Sequence, residues 1–122
     1  MHKISYKDLL RSHCEVNQNQ IAQGMDPVGL SDTGYLVELI LEQAMQNDQE
    51  LCYDKAQGYA SALQTLAPLY AAEMGSTLII IHYTNFGDYS ATIKGDRYKF
   101  GEKNKAAFFK GIIELYGDCI FL

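Results

Sequence analysis

The chain has no tryptophan, two prolines among 122 residues, three cysteines, and ten Lys/Arg against fifteen Asp/Glu. Cys14, Cys52 and Cys119 are odd in number, far apart and never in a Cys-x-x-Cys pair, which argues against a disulfide framework or a zinc site. Small buried packing residues are the expectation for all three. With so little proline and no Pro/Ser-rich tract, no linker divides the chain, and a single domain over 1–122 is expected. No apolar run approaches the roughly 20 residues of a membrane span. The start Met1-His2-Lys3-Ile4-Ser5-Tyr6-Lys7-Asp8 lacks the apolar stretch of a secretory signal, so a cytoplasmic protein is expected.

The sequence also lacks the phosphate-cradling G-x-x-x-x-G-K-[ST], the dinucleotide G-x-G-x-x-G, the metalloprotease H-E-x-x-H and the nucleophile elbow G-x-S-x-G. His82 has no second His, paired Cys or close carboxylate in sequence, and His13-Cys14 are neighbours whose side chains diverge on a helix. A thiol pair of Cys119 with His82 requires the C-terminal tail to lie beside the first strand. No catalytic residue, cofactor or metal ligand is assigned, and a non-enzyme is expected.

What is present is a change of period. Ser5 and Asp8 form a capping-box-like start, and Tyr6, Leu9, Leu10, His13 and Val16 recur at helical steps, giving a helix over about 5–20. Asn17-Gln18-Asn19-Gln20 is polar on all sides and leaves its second half weakly specified. Pro27 and Gly29 redirect the chain. A second helix over about 32–46 opens at Ser31 or Asp32, a third covers about 49–67, and Pro68 stops or kinks it before a short piece over 68–74. Beyond Gly75 the residues become β-branched and aromatic, with strands expected at about 77–84, 89–94 and 97–100. Gly95-Asp96 reads as a type II′ hairpin loop pairing Ile93 with Tyr98 and Ala91 with Phe100. That register turns Ala91, Ile93, Tyr98 and Phe100 inward and Ser90, Thr92, Lys94, Arg97 and Lys99 outward. A last helix over about 104–116 precedes a tail, 118–122, too apolar to float. The fold class is α+β: a helical N-terminal half packed on a three-stranded antiparallel meander, then a C-terminal helix.

Charge is unevenly spread. Residues 1–93 hold four cations against eleven carboxylates, 94–110 hold six against two, and 111–122 hold none against two. Asp32, Glu38, Glu42, Asp48, Glu50 and Asp54 form a segment without a single Lys or Arg, suited to a basic protein partner. Lys94, Arg97, Lys99, Lys103 and Lys105 form the opposite segment, suited to phosphate.

From Lys55 onward the order helix, three antiparallel strands, helix resembles the double-stranded RNA-binding domain in outline. In that family the last helix opens with a Ser-Lys-Lys-x-Ala-Lys cluster that grips phosphates across the major groove. The corresponding stretch reads Glu102-Lys103-Asn104-Lys105-Ala106-Ala107-Phe108-Phe109. Lys103 and Lys105 lie near those positions, but the contiguous lysine pair and the later lysine are missing, with Phe108 and Phe109 at polar positions. The likeness is one of element order.

The leading expectation is a small protein that docks a macromolecular partner through the acidic helical surface, of the inhibitor, immunity, anti-defence or accessory regulatory type that bacteria and mobile elements encode. The alternative is nucleic-acid binding through the basic hairpin face, and an enzyme of unknown reaction comes third. Nine Tyr supply interface material. The apolar tail and the edges of a three-stranded sheet leave room for a homodimer.

Overall fold

The structure, a computed structural model, describes residues 5–30, 32, 34–36, 38–39, 53–84 and 86–122, with the side chains of the second long helix described from residue 57. Helix α1 spans Tyr6–Ala22 and α2 spans Tyr53–Met74. Strands β1 (Thr77–Tyr83), β2 (Tyr89–Ile93) and β3 (Asp96–Phe100) follow, then a 3-10 turn at Glu102–Asn104, helix α3 (Lys105–Tyr116) and strand β4 (Cys119–Phe121). The Ser5 hydroxyl accepts from the Asp8 amide at 3.4 Å, so α1 opens at the cap its sequence indicates.

The α+β class and the helix–meander–helix order are as expected, but the sheet has four strands in the order β3-β2-β1-β4. The apolar tail is the fourth, parallel to β1, with Thr77 beside Cys119, Leu78 beside Ile120 and Ile79 beside Phe121. All three residues of β4 are buried, so the tail is part of the core, with Leu122 partly buried at its end.

Alternation along the strands builds two cores. Ile79, Ala91, Ile93, Phe100, Cys119 and Phe121 pack with Phe109 and Ile112 of α3 and with Ile21. Leu78, Ile120 and Leu122, from the opposite face, pack with Leu63, Ala67, Tyr70 and Ala71 of α2 and with Leu9 and Leu10 of α1. Helices α2 and α3 therefore lie on opposite faces of the sheet.

The structure refines three sequence expectations. Helix α2 is continuous through Pro68 rather than ending there. Proline removes the bond to the carbonyl four residues back, but Gln64 and Pro68 are both exposed, on the side of the helix open to solvent. Helix α1 runs on to Ala22 because its polar second half is engaged: Asn17 is fully buried, and Gln18 Nε2 donates to Gly117 O and to Asp118 Oδ1. The hairpin register differs too. Ile93 pairs with Asp96, Ala91 with Tyr98 and Tyr89 with Phe100, so the loop is Lys94-Gly95 rather than Gly95-Asp96. Both loop residues have positive φ, +53° and +88°, the signature of a type I′ turn, whose twist matches the flanking strands.

One edge of the sheet is sealed by α1. His13 donates from Nε2 to the Phe121 carbonyl at 3.0 Å, and its Nδ1 accepts from the Tyr35 hydroxyl at 2.7 Å. The Phe121 carbonyl can only accept, so we assign the proton to Nε2; Asn17 Nδ2 lies 3.2 Å from the same nitrogen and donates to the Val28 carbonyl. Four residues on, Asn17 mimics a strand: its Oδ1 accepts from the Val28 amide at 2.6 Å and its Nδ2 donates to the Val28 carbonyl at 3.0 Å. His13 and Asn17 are both fully buried, and burial pulls the His13 pKa down to about 4, partly offset by its bond to Phe121.

Candidate docking face

The opposite edge of the sheet, β3, has no such cover among the described residues. In a two-residue hairpin the residues flanking the loop form a hydrogen-bonded pair, and such pairs alternate with unbonded ones. Asp96, Tyr98 and Phe100 therefore bond β2, whereas the N–H and C=O groups of Arg97 and Lys99 point away from the sheet. Among the described residues those groups have no backbone partner.

The two sides of this edge differ chemically. On the α3 side lies an open groove of about 290 Å³ between the hairpin and the helix, lined by Ile93, Tyr98, Phe108, Ile112, Leu115 and Tyr116 among others. Tyr98 is 42% and Leu115 75% exposed at its rim. Behind it Phe100 stacks on Phe108 with ring centroids 4.2 Å apart, giving the groove a rigid floor. On the other side, Arg97 stands beside Thr92 and Lys99 beside Ser90, with His82 next in that row and its Nε2 3.4 Å from Thr92 Oγ1. Arg97, Lys99, Ser90 and Asn104 contribute to a second hollow of about 620 Å³. The one-residue alternation of β3 thus separates an apolar face from a cationic one.

The five cations singled out in the sequence do not form one surface. Arg97 and Lys99 are adjacent and exposed, as the face assignment expects. A register slip of two residues preserves the period of two, so the faces survive the corrected pairing. Lys94, at the turn, instead sets its ammonium 5.2 Å from the Tyr116 ring centre, on the α3 side. Lys105 is tied to Asp26 at 2.9 Å and to Glu102 at 3.0 Å, with its side chain 20% exposed, and those two carboxylates raise its pKa. Tyr89 donates to Glu102 at 2.7 Å, and that bond followed by the Lys105 contact lowers the Glu102 pKa. This knot pins the start of α3 to the sheet. Lys103 is exposed on the 3-10 turn.

Of the acidic segment, Glu42, Asp48, Glu50 and the side chain of Asp54 lie outside the described residues. Glu38 is exposed, and Asp32 caps the helical residues after it, accepting from the Tyr35 amide at 3.0 Å. Cys52 is likewise outside the described residues.

The remaining reactive groups are committed to packing. Burial pushes the Cys14 thiol up to about 12 and the Cys119 thiol up to about 11, the reverse of nucleophile activation. The tail does lie beside β1, but Cys119 pairs with Thr77, five residues from His82 and on the opposite face, so no thiol–imidazole pair forms. No helix among the described residues is long and apolar enough to cross a membrane, and no group of three or more His, Cys, Asp or Glu among them could hold a metal ion.

Tyr98 is expected inside from the sequence, yet it is 42% exposed: β3 is the outermost strand, and Tyr98 meets α3 at the rim through a side-chain hydrogen bond with Tyr116. Leu115 is legible only as an edge member of the apolar face: it lies seven residues after Phe108 and three after Ile112, on the same side of the helix, yet it is 75% exposed because the hairpin does not cover it. Comparison with family models, curated proteins and solved structures finds no match for this chain.

Proposed function

We propose that this is a small non-enzymatic protein that docks another macromolecule, and that the β2–β3 hairpin with the adjoining side of α3 is the docking surface. The observation that supports this reading best is the coincidence of an unpaired strand edge with Tyr98 and Leu115, exposed beside an aromatic-floored groove. Large exposed apolar side chains clustered around a concave surface mark interaction sites, and Tyr is favoured at binding hot spots. The inhibitor or accessory class expected from the sequence fits a protein whose outward chemistry is recognition. The hairpin takes the place of the acidic segment as the surface on which that reading rests.

The test is quantitative capture from native lysate on tagged wild-type protein, with nuclease present, beside Tyr98→Ser, Leu115→Asp and Glu38→Lys variants. Leu115 and Glu38 are well exposed, so those two substitutions should move stability by no more than about 0.5 kcal/mol. Tyr98 is 42% exposed and bonded to Tyr116, so the capture by its variant is compared at a temperature where its circular dichroism shows it folded. The expected result is a stoichiometric protein retained by wild type and by Glu38→Lys, and depleted about tenfold or more with either groove variant. Equal retention by the groove variants, or loss confined to Glu38→Lys, would refute the hairpin assignment.

A further inference from the structure

We propose that the partner supplies an extended segment that adds as a fifth strand to the free edge of β3, with side chains alternating between acidic and apolar. The inference rests on the docking reading above and specifies its partner. Four backbone groups, the N–H and C=O of Arg97 and of Lys99, face outward, a template that extended peptides use in strand addition. Side chains of an added strand fall on the same two faces as those of β3. Residues beside Arg97 and Lys99 would meet two cations with Ser90 and Thr92 behind them, where carboxylates are favoured and cations repelled. The residue between them, beside Tyr98, would fall over the groove lined by Phe108, Leu115 and Tyr116, where an apolar side chain is favoured. The pattern read by this edge is acidic, apolar, acidic.

A second copy of the chain fits poorly. Antiparallel pairing of two β3 strands centred on Tyr98 sets Arg97 of each copy opposite Lys99 of the other, placing four cations on one face. Nucleic acid fits poorly as well. Lys105 is held by Asp26 and Glu102, and Lys94 turns to the opposite side over Tyr116, so the phosphate-facing charge reduces to Arg97 and Lys99, with Lys103 on the adjoining turn. Neither alternative uses both the unpaired backbone and the apolar groove.

The experiment uses the full chain and two capped nonapeptides, one alternating Glu and Val and one alternating Lys and Val. Affinity is read by fluorescence anisotropy, and amide hydrogen exchange by NMR. The Glu–Val peptide should bind about tenfold or more tightly than the Lys–Val peptide and slow exchange of the Arg97 and Lys99 amides. An Arg97→Glu, Lys99→Glu double variant, altered only at exposed positions, should reverse the preference. Equal binding of the two peptides, absence of binding, or unprotected Arg97 and Lys99 amides would overturn strand addition. So would a short duplex that shifts those amides where the Glu–Val peptide does not, or a concentration-dependent dimer joined through β3. If the peptides fail while Leu115→Asp still releases the captured protein, strand addition falls and the docking surface stands. If capture is also indifferent to Leu115→Asp, both fall.

Discussion

Replacing Phe121 by Ala should destabilise the protein by about 3–5 kcal/mol, the usual cost of removing a buried phenyl ring. Its ring is 1% exposed in the core between the sheet and α3, meeting Phe109 edge-on at 6.0 Å between centroids. The truncation would leave a cavity beside the parallel β1–β4 pair, at the point where α1, α3 and the sheet converge. A loss of that size is a large part of the roughly 5–15 kcal/mol that holds a typical domain together. Urea unfolding followed by circular dichroism measures it. A loss below about 1 kcal/mol, the range of surface substitutions rather than buried rings, would mean that the C-terminal residues are not integrated into the sheet.

Acidification should cost nearly as much, through His13. Its pKa is 6.5 in the unfolded reference and about 4 in the folded chain, where desolvation opposes the charge. Between those values the unfolded chain binds the proton and the folded chain does not, so stability falls as pH drops from above 6.5 to about 4. The difference amounts to about 3 kcal/mol. His13→Gln retains an N–H to offer the Phe121 carbonyl and has no proton to gain. Stability curves from pH 7.5 to 4 should therefore fall more steeply for wild type, by about that amount across the window. Parallel curves would show that His13 is not held neutral at the sealed edge.

The position of His13 illustrates which parts of the fold are legible in the residues. Its place on an apolar helical ladder is visible at once, and His13 with Asn17, four apart, signals two polar groups on a core-facing stripe. Their partners are not visible, because Phe121 and Val28 meet them only through tertiary structure. Faces of β2 and β3 are legible because the hydrophobic period is two. Their register is not, since Lys94-Gly95 and Gly95-Asp96 both make two-residue loops, and the choice between type I′ and II′ slides the pairing without turning a side chain over. Pro68 misleads for a related reason: the cost of a helical proline depends on whether the freed carbonyl is wet, a property of packing.

The candidate site divides in the same way. Arg97 and Lys99 stand out as outward cations from alternation alone. That Lys105 is engaged by Asp26, 79 residues away, and that Lys94 folds back on Tyr116 are long-range facts that no local pattern carries. The free edge of β3 also depends on topology, since the tail adds to β1 and leaves β3 outermost.

The most direct test of the central claim is hydrogen–deuterium exchange of the full chain, alone and in complex with the protein it captures. Docking at the hairpin should concentrate new protection at residues 94–100 and along 107–116, with the Arg97 and Lys99 amides among the most slowed. Protection over 32–54 with the hairpin unchanged would place the interface on the acidic segment and contradict the account.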